Sequence, residues 1–226
     1  MGEIALAVIG VVVGGIISIV VTIVVESMRR PKLRISIVDP VDIDRLSLRS
    51  LRLKVRNADL PRCARWMMRA PASRCHGKIT FHHHDTGHDV FSRQMQTRWA
   101  SQPEPAPLIM IMPDGSQHPI WDLARLDFGL SADIVPGEAE VLDVAVRFKN
   151  EGDCYGWNNE IYSIPDKHNQ NWKLVSGQYL VCVTMISSGL TFSEIFRLVN
   201  DVGQQDFRLE KATQEEKQRV DNTLSN

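Results

Sequence analysis

Five of the seven histidines fall in one short stretch: His76, His82, His83, His84 and His88, with Cys63 and Cys75 nearby. On a strand, His82 and His84 share one face, and a turn would bring back His88 with Asp85 or Asp89. Three imidazoles and a carboxylate would suit Zn²⁺. The spacing follows neither C-x-x-C nor H-E-x-x-H. Asp85-Thr86-Gly87 is good turn chemistry. The expectation is a solvated hairpin and no metal or other cofactor. Metal binding by His82, His84 and His88 is the alternative.

A second set is Tyr155, Trp157, Asn158, Asn159 and Tyr162, within the run Asp153 to Tyr162. Aromatics interleaved with Asn, Asp and Glu can stack on and hydrogen-bond a sugar or peptide, which makes these five the candidate binding residues. The same residues can instead form a self-packed Ω-loop whose Asn side chains satisfy its own backbone. G-x-S-x-G, P-loop and G-x-G-x-x-G patterns are absent, so no catalytic residue is assigned. A metal- or small-ligand-dependent enzyme built on the hairpin 82–88 is the minor functional alternative.

What would position these groups is legible along the chain. Residues 4–25 read IALAVIGVVVGGIISIVVTIVV without a charge. As a helix this is about 33 Å long, matching a hydrocarbon core of about 30 Å. A basic n-region and an A-x-A site are both missing, which argues against a cleaved signal peptide. Position 6 is Leu, which argues against myristoylation at Gly2. The expectation is a single-pass transmembrane helix over residues 1–28. Arg29, Arg30, Lys32 and Arg34 follow the run, and no Lys or Arg precedes it. The positive-inside rule then places the N-terminus outside and the domain in the cytoplasm, at the cell membrane. Four scattered cysteines and no glycosylation sequon agree with that side. Gly10, Gly14 and Ser18 recur every four residues, the spacing at which two membrane helices approach closely. The partner would be another membrane protein or a second copy of the chain.

The formal net charge of −1 hides an asymmetry. Residues 29–78 hold 14 Lys and Arg against 4 acids, and residues 79–226 hold 12 against 21. Arg52, Lys54 and Arg56 should project from one face of one strand. Next to a membrane these residues, with Arg29, Arg30, Lys32 and Arg34, would attract anionic lipid head groups by roughly 1 kcal/mol each. Neighbouring acidic strands would cancel the effect. Nucleic acid is disfavoured, because Trp66 is the sole aromatic among the basic residues.

The apolar period after residue 34 is two rather than 3.6. Candidate strands are Leu33–Ile37, Leu51–Arg56, Cys75–Phe81, Leu142–Phe148, Gln178–Ile186, Phe192–Val199 and Phe207–Leu209. A phase slip near Arg49-Ser50 suggests a bulge. Turn signals separate the runs at Asp39-Pro40, Pro136-Gly137, Ser176-Gly177 and Ser188-Gly189. The fold class is mainly β: an antiparallel β-sandwich over residues 35–209 with long loops, behind a transmembrane helix and a basic juxtamembrane segment, 29–34. Trp99 to Trp121, with five prolines around Leu108-Ile109-Met110-Ile111-Met112, is expected to strap over the core. An exposed Met-rich contact is the alternative. Residues 210–226 are expected to form a short helix fraying into a polar tail, with too narrow an apolar stripe to pack firmly.

Leu174-Val175-Ser176-Gly177-Gln178-Tyr179-Leu180-Val181 resembles the L-x-x-G-x-Y entry to strand F of immunoglobulin-like and fibronectin-like sandwiches. The resemblance implies a tyrosine corner, with the Tyr179 hydroxyl bonded to upstream backbone, and strand E at Val141 to Phe148. It implies no activity. The function this supports is a membrane-anchored binding or assembly module, or an accessory subunit of a membrane complex.

Overall fold

A run of Ile, Val, Leu, Ala and Gly broken only by Ser18 and Thr22 forms most of the first helix, α1 (Gly2–Arg29), in which the Thr22 hydroxyl donates to the Ser18 carbonyl one turn back. The computed structural model describes residues 2–64, 66–105, 107–120, 130–201, 203 and 206–224, without the side chains of 2–12, 63, 119 and 224. Among the described residues no helix is long and apolar enough to cross a membrane, so the expected span over 4–25 is not found there.

Among the described residues fifteen strands follow: β1 (Leu33–Ile37), β2 (Val41–Ile43), β3 (Leu48–Asn57), β4 (Ala72–His83), β5 (Met95–Gln96), β6 (Arg98–Trp99), β7 (Leu108–Ile111), β8 (Gln117–Ile120), β9 (Ala132–Ile134), β10 (Ala139–Phe148), β11 (Cys154–Gly156), β12 (Lys173–Leu174), β13 (Gly177–Ser187), β14 (Leu190–Asn200) and β15 (Phe207–Lys211). One sheet has the order β1-β3-β10-β11-β12, with β2 on β3 and β6 on β10. The other has the order β15-β14-β13-β4-β5, with β9 on β4. All pairings between these strands are antiparallel. The inner faces meet in one core, with Leu51, Leu53, Val55, Leu142 and Val144 from the first sheet against Ile79, Phe81, Val181, Val183, Phe196 and Leu198 from the second. Each such side chain contributes roughly 1.5–3 kcal/mol by leaving water. The architecture is a two-sheet β-sandwich.

The phase slip is real, and the extra residue sits across the ladder. The β3–β10 register shifts between Asp143 and Ala145, so Val144 is bulged opposite Leu51 and Arg52. Val144 and Ala145 both face the main core, while Val146 turns to the outer face. There it meets Leu48, Tyr155, Trp157, Ile161 and Tyr162. The strict alternation expected of Leu142–Phe148 therefore breaks: residues 142–147 are all buried.

The tyrosine corner is present. Tyr179 donates its hydroxyl to the Val175 carbonyl at 3.1 Å, across Gly177 at φ +151°. Ser188-Gly189, both at positive φ, make the two-residue turn of the β13–β14 hairpin.

Two expectations fail on packing. Leu108–Ile111 does not strap over the core. It pairs with β8 in a separate hairpin whose apolar side chains face solvent. Pro113-Asp114-Gly115-Ser116 makes the turn, with the Asp114 carboxylate accepting from both the Ser116 amide and hydroxyl, and Gly115 at φ +81°. Residues 210–224 hold the expected short helix, but it is not loosely held: β15 runs to Lys211, and the helix, α2 (Gln214–Leu224), docks on the second sheet. Val220 is fully buried with Leu180, Cys182 and Ile195. Thr213 and Glu216 form a capping box, Thr213 N to Glu216 Oε2 at 2.6 Å and Glu216 N to Thr213 Oγ1 at 3.3 Å.

Candidate functional site

Asp85-Thr86-Gly87 makes the turn expected of it: His83 N donates to His88 O and Val90 N to Phe81 O. The hairpin is solvated on one side, where His83, Asp85, Thr86, His88 and Asp89 are exposed, while α2 rests on the other. A side chain at Gly87 would meet the Arg219 carbonyl at 2.9 Å, and Arg219 donates to the His84 carbonyl. His82 is fully buried; its Nδ1 faces Asp89 at 2.9 Å and Gly87 O at 3.0 Å, and its Nε2 faces Thr80 Oγ1 at 2.8 Å. Burial pushes the His82 imidazole down, against the opposing pull of Asp89 and the Gly87 carbonyl. His84 Nε2 instead meets Glu216 at 2.9 Å, and His88 is exposed. His82, His84 and His88 therefore do not converge, and among the described residues no group of three His, Cys, Asp or Glu is placed to hold a metal. These imidazoles join the hairpin to the sheet and to α2.

Tyr155, Trp157 and Tyr162 lie in the apolar cluster on the outer face of the first sheet. Trp157 and Tyr162 meet edge to face at 5.9 Å, and the Arg98 and Lys167 cations lie over the Tyr162 ring. Their ring faces are thus occupied by the fold. His168 stacks on Phe148 at 4.2 Å and meets Glu151 at 2.8 Å. Burial pushes its imidazole down, but the Glu151 and Asp166 interactions outweigh this and raise it above the ordinary value. Asn158 and Asn159 are buried and line a cleft of about 190 Å³ with Arg93, Gln94, Gln96 and Leu130. Glu160 and Trp172 complete it: Trp172 Nε1 donates to Glu160 Oε2 at 2.9 Å, and the Arg93 guanidinium covers the indole at 4.5 Å. Glu160 belongs to the run singled out in the sequence, whereas Arg93 and Trp172 escaped sequence reasoning because they come from other segments. Nothing in this cleft pairs a nucleophile with a base.

The helix-proximal end is the richer surface. Asn57, fully buried, ties three segments together: Oδ1 accepts from Lys32 N, and Nδ2 donates to the Ala70 and Ile134 carbonyls. Ala70 N donates to Arg29 O at 2.7 Å, and Arg69 Nη1 to Arg30 O at 2.6 Å. The last turn of α1 is therefore hydrogen-bonded to the loop between β3 and β4. Nothing in the sequence singled out Asn57.

The expected basic face exists in part. Lys54 and Arg56 point outward on β3, with Arg34 opposite Arg56 on β1. Arg52 shares that face, but its guanidinium is paired with buried Asp143 at 2.8 Å. Burial still holds the Asp143 carboxyl above the usual range, with Arg52 and Arg98 opposing. Arg56 meets Asp59 at 3.0 Å. Acidic neighbours thus offset Arg52 and Arg56, while Arg29, Arg30, Lys32, Arg34 and Lys54 remain exposed. In α1, Ser18 is exposed and Gly14 has open space around its Cα; the surroundings of Gly10 lie outside the described residues. Cys75, Cys154 and Cys182 are buried free thiols, pushed up by burial, and offer no reactive nucleophile. Comparison with family models, with curated proteins and with solved structures found no match to this chain.

Proposed function

We propose that the protein is a single-pass membrane-anchored binding or assembly module, with an immunoglobulin-like sandwich held against the cytoplasmic face of the cell membrane by α1. The carrying observation is the junction. The carbonyls of Arg29 and Arg30 are bonded to Ala70 and Arg69, and Lys32 to Asn57, so the domain is seated on the end of a 28-residue helix rather than tethered loosely. The 28 residues measure about 42 Å at ~1.5 Å each, and the reading takes the uncharged run 4–25 within them as the span. Arg29, Arg30 and Lys32 favour the cytoplasmic side. The immunoglobulin-like order is supported by β1-β3-β10 facing β14-β13-β4, with the tyrosine corner on β13.

The binding role is supported by the β7–β8 hairpin. Leu108, Ile109, Met110, Ile111 and Met112 are all exposed, a contiguous apolar surface of the kind that marks a protein contact. The partner is another membrane protein presenting an apolar groove, which makes this chain an accessory subunit. Nothing in the His hairpin favours the enzyme alternative. The test is alkaline carbonate extraction of membranes carrying the full chain, with impermeant thiol labelling at a Cys introduced at exposed Asn150. Retention in the membrane and no labelling from outside are expected. Release by carbonate removes the anchor, and labelling of intact cells reverses the orientation.

A further inference from the structure

The loop between β3 and β4 carries the two most exposed large apolar side chains among the described residues, Trp66 at 80% and Met68 at 83%. No other Trp with a described side chain is so placed: Trp99, Trp157 and Trp172 are buried. The loop leaves β3 beside Lys32, where Ala58 N donates to Lys32 O at 2.9 Å, and returns at Ala70 on the Arg29 carbonyl. Both of its ends therefore lie at the C-terminal end of α1. Trp66 is four residues from Ala70, so its Cα is within about 14 Å of that contact at ~3.5 Å per residue. A headgroup layer is roughly 5–8 Å deep on each side of the hydrocarbon core. Trp belongs to that layer because its ring is apolar and its N–H needs a polar partner. The charges agree: Arg62, exposed, and Arg69, half-buried, flank the two apolar residues. The Ser188–Leu190 turn lies at the same level. With Glu26, Arg29, Arg30, Pro31 and Ala70 it lines a cleft of about 510 Å³, in which Glu26 meets Arg29 at 3.6 Å.

We propose that the β3–β4 loop makes a second, interfacial membrane contact through four described residues: Trp66 and Met68 enter the headgroup layer of the bilayer crossed by α1, with Arg62 and Arg69 at its anionic phosphates. The inference rests on the anchored reading above. It adds a consequence that an anchor alone does not have. One helix leaves the sandwich free to rotate about the helix axis, whereas a second contact beside the helix end fixes which edge of each sheet faces the cytoplasm.

The experiment uses the full chain in vesicles of phosphatidylcholine with phosphatidylglycerol, half of them made with lipid brominated near the headgroup end of the acyl chain. Flotation is measured first and tryptophan quenching second, for the wild type and for Trp66→Phe, which changes a side chain the fold does not bury. Co-flotation with quenching in the wild type that is lost in Trp66→Phe is the expected result. Co-flotation with equal quenching in both chains overturns the interfacial contact and leaves the anchor standing; Trp66 then faces something other than lipid. Failure of the wild type to float overturns the anchor and the contact together.

Discussion

Glu216 offers the sharpest test of how the end of the chain is held. Its carboxylate closes the capping box with Thr213 and accepts from Arg197 Nη1 at 3.1 Å and His84 Nε2 at 2.9 Å, with only 2% of the residue exposed. Burial alone would raise its pKa, but the bonds to Thr213, His84 and Arg197 prevail and hold it at about 2 against an ordinary 4.5. A shift of that size, at ~1.36 kcal/mol per unit, corresponds to roughly 3 kcal/mol of stability. The sign follows from the depressed value. Above pH 4.5 the group is ionised in both states and its stabilisation is fully present. As the pH falls from 4.5 to 2 the unfolded chain takes up a proton that the folded chain refuses, and the stabilisation disappears. Glu216→Gln keeps an acceptor for the Thr213 amide, since Gln also serves at this capping-box position. It removes the charge facing Arg197 and His84. The variant should lose about 2–3 kcal/mol at pH 7 and show a flatter stability profile between pH 4.5 and 2. The assay is urea unfolding of the full chain in non-ionic detergent, followed by tryptophan fluorescence across that range. Equal stability of the two chains at pH 7, with parallel profiles in acid, would refute the reasoning.

Three further outcomes follow from single features. Tyr179→Phe keeps the ring in the core and removes the hydroxyl bond to Val175, so urea unfolding should show a loss of about 1 kcal/mol; no change would mean the corner is ornamental. Ile111→Asp, at an exposed position of β7, should alter stability by less than about 0.5 kcal/mol while abolishing any crosslink from the hairpin to a membrane partner; a crosslink that survives locates the partner site elsewhere. Gly14→Ile places a branched side chain where space is open along α1 and should weaken self-association in a membrane reporter; an unchanged signal removes helix pairing through that face.

The strands were legible because each side of the sandwich buries one face of every central strand, which imprints a period of two on residues such as Leu51, Leu53 and Val55. The tyrosine corner was legible because its chemistry is local: Gly177 and Tyr179 lie within five residues of the carbonyl they serve. What was not legible depends on partners far along the chain. The covered side of the His hairpin was not foreseen because Glu216 and Arg219 of α2, which bond His84 there, lie more than 130 residues away. The helix itself looked too polar to dock, since one fully buried Val220 and a buried, ionised Glu216 do the work that a wide apolar stripe does elsewhere. The hairpin at Leu108–Ile120 was misjudged for a different reason. An apolar run ordinarily signals burial, and only the Asp114-Gly115-Ser116 turn hinted that this one pairs with itself.

The two ends of the sandwich differ in a way that bears on where a partner can sit. Asn57 and the loop that ends at Ala70 occupy the helix end, where the bilayer of the anchored reading would exclude a protein partner. On the second sheet, α2 covers Leu180, Cys182 and Ile195. On the first, the segment from Tyr155 to Tyr162 covers Leu48 and Val146. A basic strip, Arg34, Lys54 and Arg56, stays open on the first sheet, yet it is polar and partly offset by Asp59. Among the described residues, the apolar side chains left uncovered away from the helix end are concentrated in the β7–β8 hairpin, which adds strands to neither sheet. An element that exposes Ile109, Met110 and Ile111 together without serving the fold is costly to keep in water. Its retention is explained if a partner covers it, and under the anchored reading proposed above that partner is met at the membrane.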